Sequence, residues 1–204
     1  MNNFVDKMLA LESFIVAFVT LISTFGGLWL QKKWRGTQDN SECALAASAR
    51  KNSEILKVLK KLKNEFSADR SYVFEFHNGN YFSSGSPMQK FTCTYEVVAD
   101  GVSSECHNPG EYRMSNYNEY ISSIIHERDY CVEDVSLMTS DALLRSLLTN
   151  KGVKSLYNIP IRTFEGNTVG FLGLDFVKST RVLSDCELNS LRSAAKIITG
   201  YIAG

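Results

Sequence analysis

Charge of neither sign predominates in this 204-residue chain, where 22 lysines and arginines meet 22 aspartates and glutamates. That balance lacks the basic excess typical of a nucleic-acid-binding domain, so no nucleic-acid partner is expected. Proline is scarce, at 3 residues, and with 13 glycines and 44% apolar residues the composition excludes a low-complexity or disordered chain. Histidine is scarce too. His77, His107 and His126 share no repeated spacing, which argues against a zinc site. There is no CxxC pair: Cys43, Cys93, Cys106, Cys131 and Cys186 are odd in number and dispersed. Such a set fits free, mostly buried thiols in a reducing compartment better than a disulfide framework. A Gly-rich phosphate loop, a GxSxG elbow and an HExxH motif are all missing, and a non-catalytic protein is expected.

What the sequence does have is one long uncharged run, FIVAFVTLISTFGGLWL, from Phe14 to Leu30. As a helix it covers roughly 25 Å, close to the hydrocarbon thickness of a bilayer. Trp29 and Trp34 sit at its C-terminal edge, at headgroup level. Lys32, Lys33 and Arg35 follow, whereas Asp6, Lys7 and Glu12 precede it. The asymmetry places the C-terminal side in the cytoplasm. A signal peptide would carry its positive charge before the apolar core, which this segment does not. A buried core helix is the competing reading. The expectation is an N-terminal membrane anchor over residues 1–36, with a single spanning helix at about 13–31.

Residues 37–67 read as a linking amphipathic helix after a polar break, GTQDN. No proline or glycine occurs from Glu42 to Phe66, and Ile55, Leu59, Leu62 and Phe66 recur at heptad spacing. Two copies could pair along that seam, or the seam could pack on the domain that follows.

Residues 68–204 change character. SYVFEFH (71–77) and KFTCTYEVVA (90–99) alternate as strands, with NGNYFSSGSP between them supplying turn residues. Residues 117–127 and 141–151 read as helices, 130–135 as a short strand, and 153–163 with 168–178 as a strand pair joined by FEGN. Ser184 with Glu187 opens a terminal helix whose apolar stripe is Leu188, Leu191, Ala195, Ile198 and Ile202. Antiparallel strands with helices at both ends make an α+β domain.

The segment SLYNIPIRTFEGNTVGFLGLDFVKSTRVLSDCELNSLRSAAKIITGYI resembles the C-terminal half of GAF domains. There a strand with an apolar-proline-apolar pattern turns into a strand like VGFLGLDF, and a terminal helix follows. FEFHNGNYFSSGSPMQKFTCTYEVV is similar to the first strands of GAF-like proteins, many of them phage-encoded. The resemblance implies an antiparallel sheet flanked by helices, a small-molecule ligand or a scaffolding role, and a homodimer formed through terminal helices (residues 42–66 and 184–202). It names no cofactor. The Asn-Lys-x-Phe-Asp-Glu signature of cyclic-nucleotide-binding members is missing, and bilin-binding members need a suitably placed cysteine, for which Cys131 is the candidate.

A ligand pocket on such a sheet is expected to be lined by His77, Lys90, Tyr95, Arg113, Tyr157 and Asp175. Asp175 interrupts the apolar strand 171–177, and its carboxylate needs a partner, either a ligand or an arginine or lysine inside the fold. His77-Asn78-Gly79-Asn80 reads as a turn. Two other readings stand beside the membrane-anchored sensor. One is a structural or interaction protein without a ligand, such as a phage membrane or lysis-related factor. The other is a thiol enzyme pairing His77 with Cys93 or Cys131.

Overall fold

A computed structural model describes residues 43–106, 112–126 and 129–203, together with Thr24, Gly26 and Gly27. The chain divides into two compact units, Met1–Arg50 and Lys51–Gly204. In the first, every described residue is helical. Among the described residues no helix is long and apolar enough to cross a membrane. Apart from Thr24, Gly26 and Gly27, the expected anchor at 13–31 lies outside the described residues, as do Trp34, the GTQDN break, His107 and Pro109.

Six antiparallel strands form one sheet in the order β3-β2-β1-β6-β5-β4. They are β1 (Arg70–Tyr81), β2 (Pro87–Val98), β3 (Tyr112–Arg113), β4 (Tyr130–Val132), β5 (Ser155–Arg162) and β6 (Thr168–Phe176). A helix over residues 43–65, α1, precedes them. The other helices are α2 (Asn118–His126), α3 (Ala142–Asn150) and α4 (Asp185–Ile202). The expected α+β, GAF-like sheet flanked by helices is therefore present.

The sheet buries both faces. On one, Ile55, Leu59 and Leu62 of α1, with Phe66 just after it, pack with Leu191, Ala195 and Ile198 of α4 over Val73, Leu172 and Leu174. Each such side chain contributes about 1.5–3 kcal/mol by leaving water. The heptad seam is thus consumed by its own domain, because its residues complete the core that α4 alone leaves open. On the other face α2 and α3 cover Tyr72, Phe74, Phe91 and Phe171. Central strand β6 faces a helix layer on each side, which is why it reads as an apolar run.

Local chemistry sets the ends. Ser184 and Glu187 form the expected capping box on α4. Asp141, in the left-handed region at φ 50°, caps α3 by accepting from Leu144 N. Burial alone would raise the Asp69 carboxyl, but the N–H groups of Lys178 and Val177 bring it below the ordinary range. Asp69 thereby ties the start of β1 to the end of β6.

Two expectations are corrected. The sequence His77-Asn78-Gly79-Asn80 is strand, not turn: β1 runs to Tyr81, and the reversal falls at 82–86, where Gly85 takes φ 80°. Pairing with β2 continues through Asn78 and Gln89, so ladder hydrogen bonds outweigh the local turn preference. Nor are all five thiols free. Cys93 and Cys106 form a disulfide with Cα atoms 5.1 Å apart, while Cys43, Cys131 and Cys186 are free and exposed rather than buried. Reduced cysteines therefore no longer support a cytoplasmic side, and the charge step across the apolar run stands alone.

Candidate functional site

Three cross-strand rows on the α2–α3 face build the site. Arg70, Asp175 and Leu156 form one row, Tyr72, Gly173 and Asn158 the next, and Phe74, Phe171 and Pro160 the third. Gly173 is required at the centre, because a Cβ there would overlap the Tyr72 ring and Asn158 Oδ1. With no side chain in the way, Tyr72 lies across β6. Its hydroxyl donates to Asp175 Oδ1 at 2.7 Å and lies 3.0 Å from Asn158 Oδ1. Asn158 Nδ2 donates to the Tyr120 hydroxyl of α2 at 2.6 Å.

Asp175 finds inside the fold the arginine its burial demands. Arg70, fully buried, places Nη1 at 3.1 Å from Asp175 Oδ2. Its Nε donates to Ser103 O at 2.8 Å and its Nη2 to Ser103 Oγ at 3.0 Å. Burial pushes the Asp175 carboxyl up to about 6, against the opposing pull of the Tyr72 hydroxyl and the Arg70 guanidinium. Burial and the Asp175 charge push the Tyr72 and Tyr120 hydroxyls well above their ordinary value, so both stay protonated, Tyr72 as the donor to Asp175 and Tyr120 as the acceptor from Asn158.

A second pair stands at the rim. Lys151, just after α3, pairs with the buried carboxylate of Glu105, donates to the Tyr112 hydroxyl at 2.7 Å and sits 4.9 Å from that ring's centroid. Burial alone would lower the Lys151 ammonium, but Glu105 and Tyr112 hold it above its ordinary range. Beside the two pairs lies a cavity of about 40 Å³ walled by Tyr72, Phe74, Phe91, Tyr112, Tyr117, Tyr120, Phe171 and leucines of α3, with Asp175, Glu105 and Lys151. Phe74 stacks on Phe171 and Phe91 on Tyr112, each with centroids 5.1 Å apart. The two charge pairs are neighbours, Arg70 Nη2 lying 3.4 Å from Lys151 O. The arrangement is an aromatic chamber with Asp175, Glu105 and Lys151 in its wall. It suits a small ligand with an apolar body and one or two polar atoms.

Of the six residues expected to line a pocket, Asp175 alone faces this chamber. His77, Lys90 and Arg113 form a row across β1, β2 and β3 on the opposite face. There His77 Nε2 lies 2.8 Å from Thr92 Oγ1. Tyr95, on the same face, donates to Asn52 of α1 at 2.8 Å. Tyr157 donates to Arg181 O at 2.7 Å and accepts from Leu183 N at 3.1 Å, fixing the segment before α4. The chamber instead takes the sequence neighbours Phe91, Tyr112 and Leu156, because one residue along a strand reverses the face.

Cys131 lies opposite Tyr157 in the β4–β5 register, and therefore on the α4 face, away from the chamber. Although the residue is exposed at the sheet edge, desolvation and the Asp129 carboxylate push its thiol up to about 11. His77 pairs with neither candidate cysteine. Cys93 packs on the opposite face and is bonded to Cys106, while Cys131 is on the far edge strand.

No protein-family model and no curated protein matches the sequence. Solved structures do match the fold. The blue-light absorbing form of the Thermosynechococcus elongatus PixJ GAF domain aligns with a TM-score of 0.60 at 13% identity, over 76% of this chain and 86% of that one. The GAF domain region of a Geobacter sulfurreducens PCA protein, described as a membrane protein, aligns with a TM-score of 0.60 at 18% identity, over 78% and 97%. A domain of a Sinorhizobium meliloti 1021 protein, described as a two-component sensor histidine kinase, gives 0.52 at 14% identity, over 72% and 87%. At these identities the likeness defines the fold: residues 51–203 adopt the GAF-like α+β architecture.

Proposed function

We propose that the chain is a non-catalytic sensory protein whose GAF-like domain holds a small molecule in the chamber between the sheet and helices α2 and α3. The observation that carries this reading is the chamber itself, with aromatic walls into which Asp175, Glu105 and Lys151 of the pairs Arg70–Asp175 and Glu105–Lys151 are set. GAF-like domains of the same fold include a blue-light absorbing one and one from a described sensor kinase. The uncharged run Phe14–Leu30 and the lysine and arginine step after it support a single-pass anchor with the domain in the cytoplasm. The outer surfaces of α1 and α4, where Leu56 and Ile197 are exposed, support a homodimer.

Size restricts the ligand. At about 40 Å³ the chamber has room for a few water molecules, against roughly 300–1,000 Å³ for drug-sized ligands. A bilin does not fit this conformation, and Cys131 is not placed to hold one. Native mass spectrometry of the purified full chain tests the proposal. A bound small molecule lost on Leu148→Trp, which fills the chamber, supports it. Ligand-free protein from every host and growth condition contradicts it. The small volume favours one second reading, a structural or interaction protein, for example a phage membrane or lysis-related factor, in which the aromatic rings are simply core.

A further inference from the structure

The Cys93–Cys106 disulfide belongs to no part of the account so far, yet it stands at the chamber's edge. Cys93 lies on β2 opposite Phe74, on the chamber face. Cys106 follows Glu105, the residue that closes the rim by pairing with Lys151. The short segment 103–106 reaches the site and β2 through side chains and backbone N–H groups. Ser103 accepts from Arg70. Ser104 Oγ and the N–H groups of Glu105 and Cys106 donate to the Glu96 carboxylate. All of these are hydrogen bonds or ion pairs that water can replace one at a time. Beyond the main chain itself, the disulfide links the segment covalently to β2. Cys106 is exposed and Cys93 half-buried, so a thiol in solution reaches the Cys106 sulfur directly.

We propose that Cys93 and Cys106 form a thiol–disulfide switch that controls access to the chamber through the Glu105–Lys151 gate. This inference rests on the chamber being a ligand site, as proposed above. A low-molecular-weight thiolate attacks the Cys106 sulfur, the S–S bond breaks, and Cys93 leaves as a thiolate that takes a proton. A second thiol resolves the mixed disulfide, so the protein pair is reduced to two thiols and the small thiol is oxidised to its disulfide. Once untethered, segment 103–106 opens by breaking hydrogen bonds alone. Its departure removes Glu105 from Lys151 and uncovers the Tyr112 side of the chamber. Oxidised protein is then the closed form and reduced protein the accessible one.

Hydrogen–deuterium exchange on the full chain in glutathione buffers of graded potential, with no ligand added, tests this directly. Maleimide labelling with peptide mapping reports the state of each cysteine in parallel. The expected result is that Cys93 and Cys106 become labelled together on reduction, with the amides of Glu105 and Cys106 exchanging at least tenfold faster. A protein with Cys93→Ala and Cys106→Ala exchanges at the reduced rate in every buffer. Three results overturn the proposal: a pair that stays unoxidised in oxidising buffer, exchange that is unchanged by reduction, or stoichiometric zinc held by Cys93, Cys106 and Glu96 that keeps the reduced loop closed. Because no ligand enters the measurement, these outcomes are separate from failure to find one.

Discussion

Tyr72 and Asp175 meet diagonally across β1 and β6, with the phenol hydroxyl donating to Asp175 Oδ1 at 2.7 Å over a glycine that leaves the ring room to pass. Tyr72→Phe removes that donor and leaves a buried carboxylate short of one partner. A loss of about 1–3 kcal/mol in unfolding free energy is expected, read by urea denaturation. A change below ~0.5 kcal/mol would mean the hydroxyl is not spent on Asp175.

Gly173→Ala places a methyl where the Tyr72 ring and Asn158 Oδ1 lie. Overpacking of this kind costs about 1–3 kcal/mol. The cost is expected to fall in a Tyr72→Leu background, since part of the clash goes with the ring. An equal cost in both backgrounds contradicts the account of why glycine is needed there.

The pH dependence follows from Asp175, whose carboxyl burial raises to about 6 from an ordinary 3.8. A carboxyl raised on folding favours the folded state fully below the unfolded value, and that contribution is lost as pH rises through the folded one. The loss amounts to at most about 3 kcal/mol between pH 4 and pH 7. Asp175→Asn lacks this titration and leaves Arg70 without its counter-charge, so it is less stable throughout. The stability gap between wild type and variant is expected to narrow as pH rises from 4 to 7. A gap that widens shows the Arg70 guanidinium outweighing burial.

The proposed dimer uses surfaces that the domain's own core leaves free. Val58, Lys61, Glu65, Cys186 and Ile197 line a groove between α1 and α4, with Ile197 53% exposed. Sedimentation of the full chain is expected to give twice the 22.9 kDa chain mass, and Ile197→Lys to give the single mass. A dimer that survives the lysine uses another surface.

Anchoring is checked by fractionation. Alkaline carbonate is expected to leave the full chain in the membrane pellet, and Val19→Arg with Ile22→Arg, charged at the centre of the run, to release it. Recovery of the unaltered chain in the supernatant contradicts the anchor.

Much of the fold was legible because local signals coincide with tertiary ones. The Ser184–Glu187 box, the FEGN turn and the apolar strand segments on either side of it each name their element without help from distant residues. Asp175 was legible as well, since a carboxylate inside an apolar strand has to be compensated. Arg70, its partner, was not, being separated from it by 105 positions and joined to it only by strand pairing. Face was the other loss. Lys90 and Phe91, or Arg113 and Tyr112, are equally plausible pocket residues until helix packing decides which side of the sheet α2 and α3 cover. The Cys93–Cys106 bond gave no sequence sign either, because loop 99–106 is positioned by contacts to Asp69, Arg70 and Glu96 rather than by its own residues.

On the proposed function, the aromatic chamber beside Arg70–Asp175 and Glu105–Lys151 binds a small molecule. A thermal-shift screen of small aromatic and aliphatic acids, amines and amides measures this most directly, run in parallel on the reduced wild-type chain and on Leu148→Trp. The account predicts at least one compound that raises the melting temperature of the wild type in a concentration-dependent way and leaves the filled variant unmoved. Compounds that shift both proteins equally, or none that shifts the wild type, would contradict it.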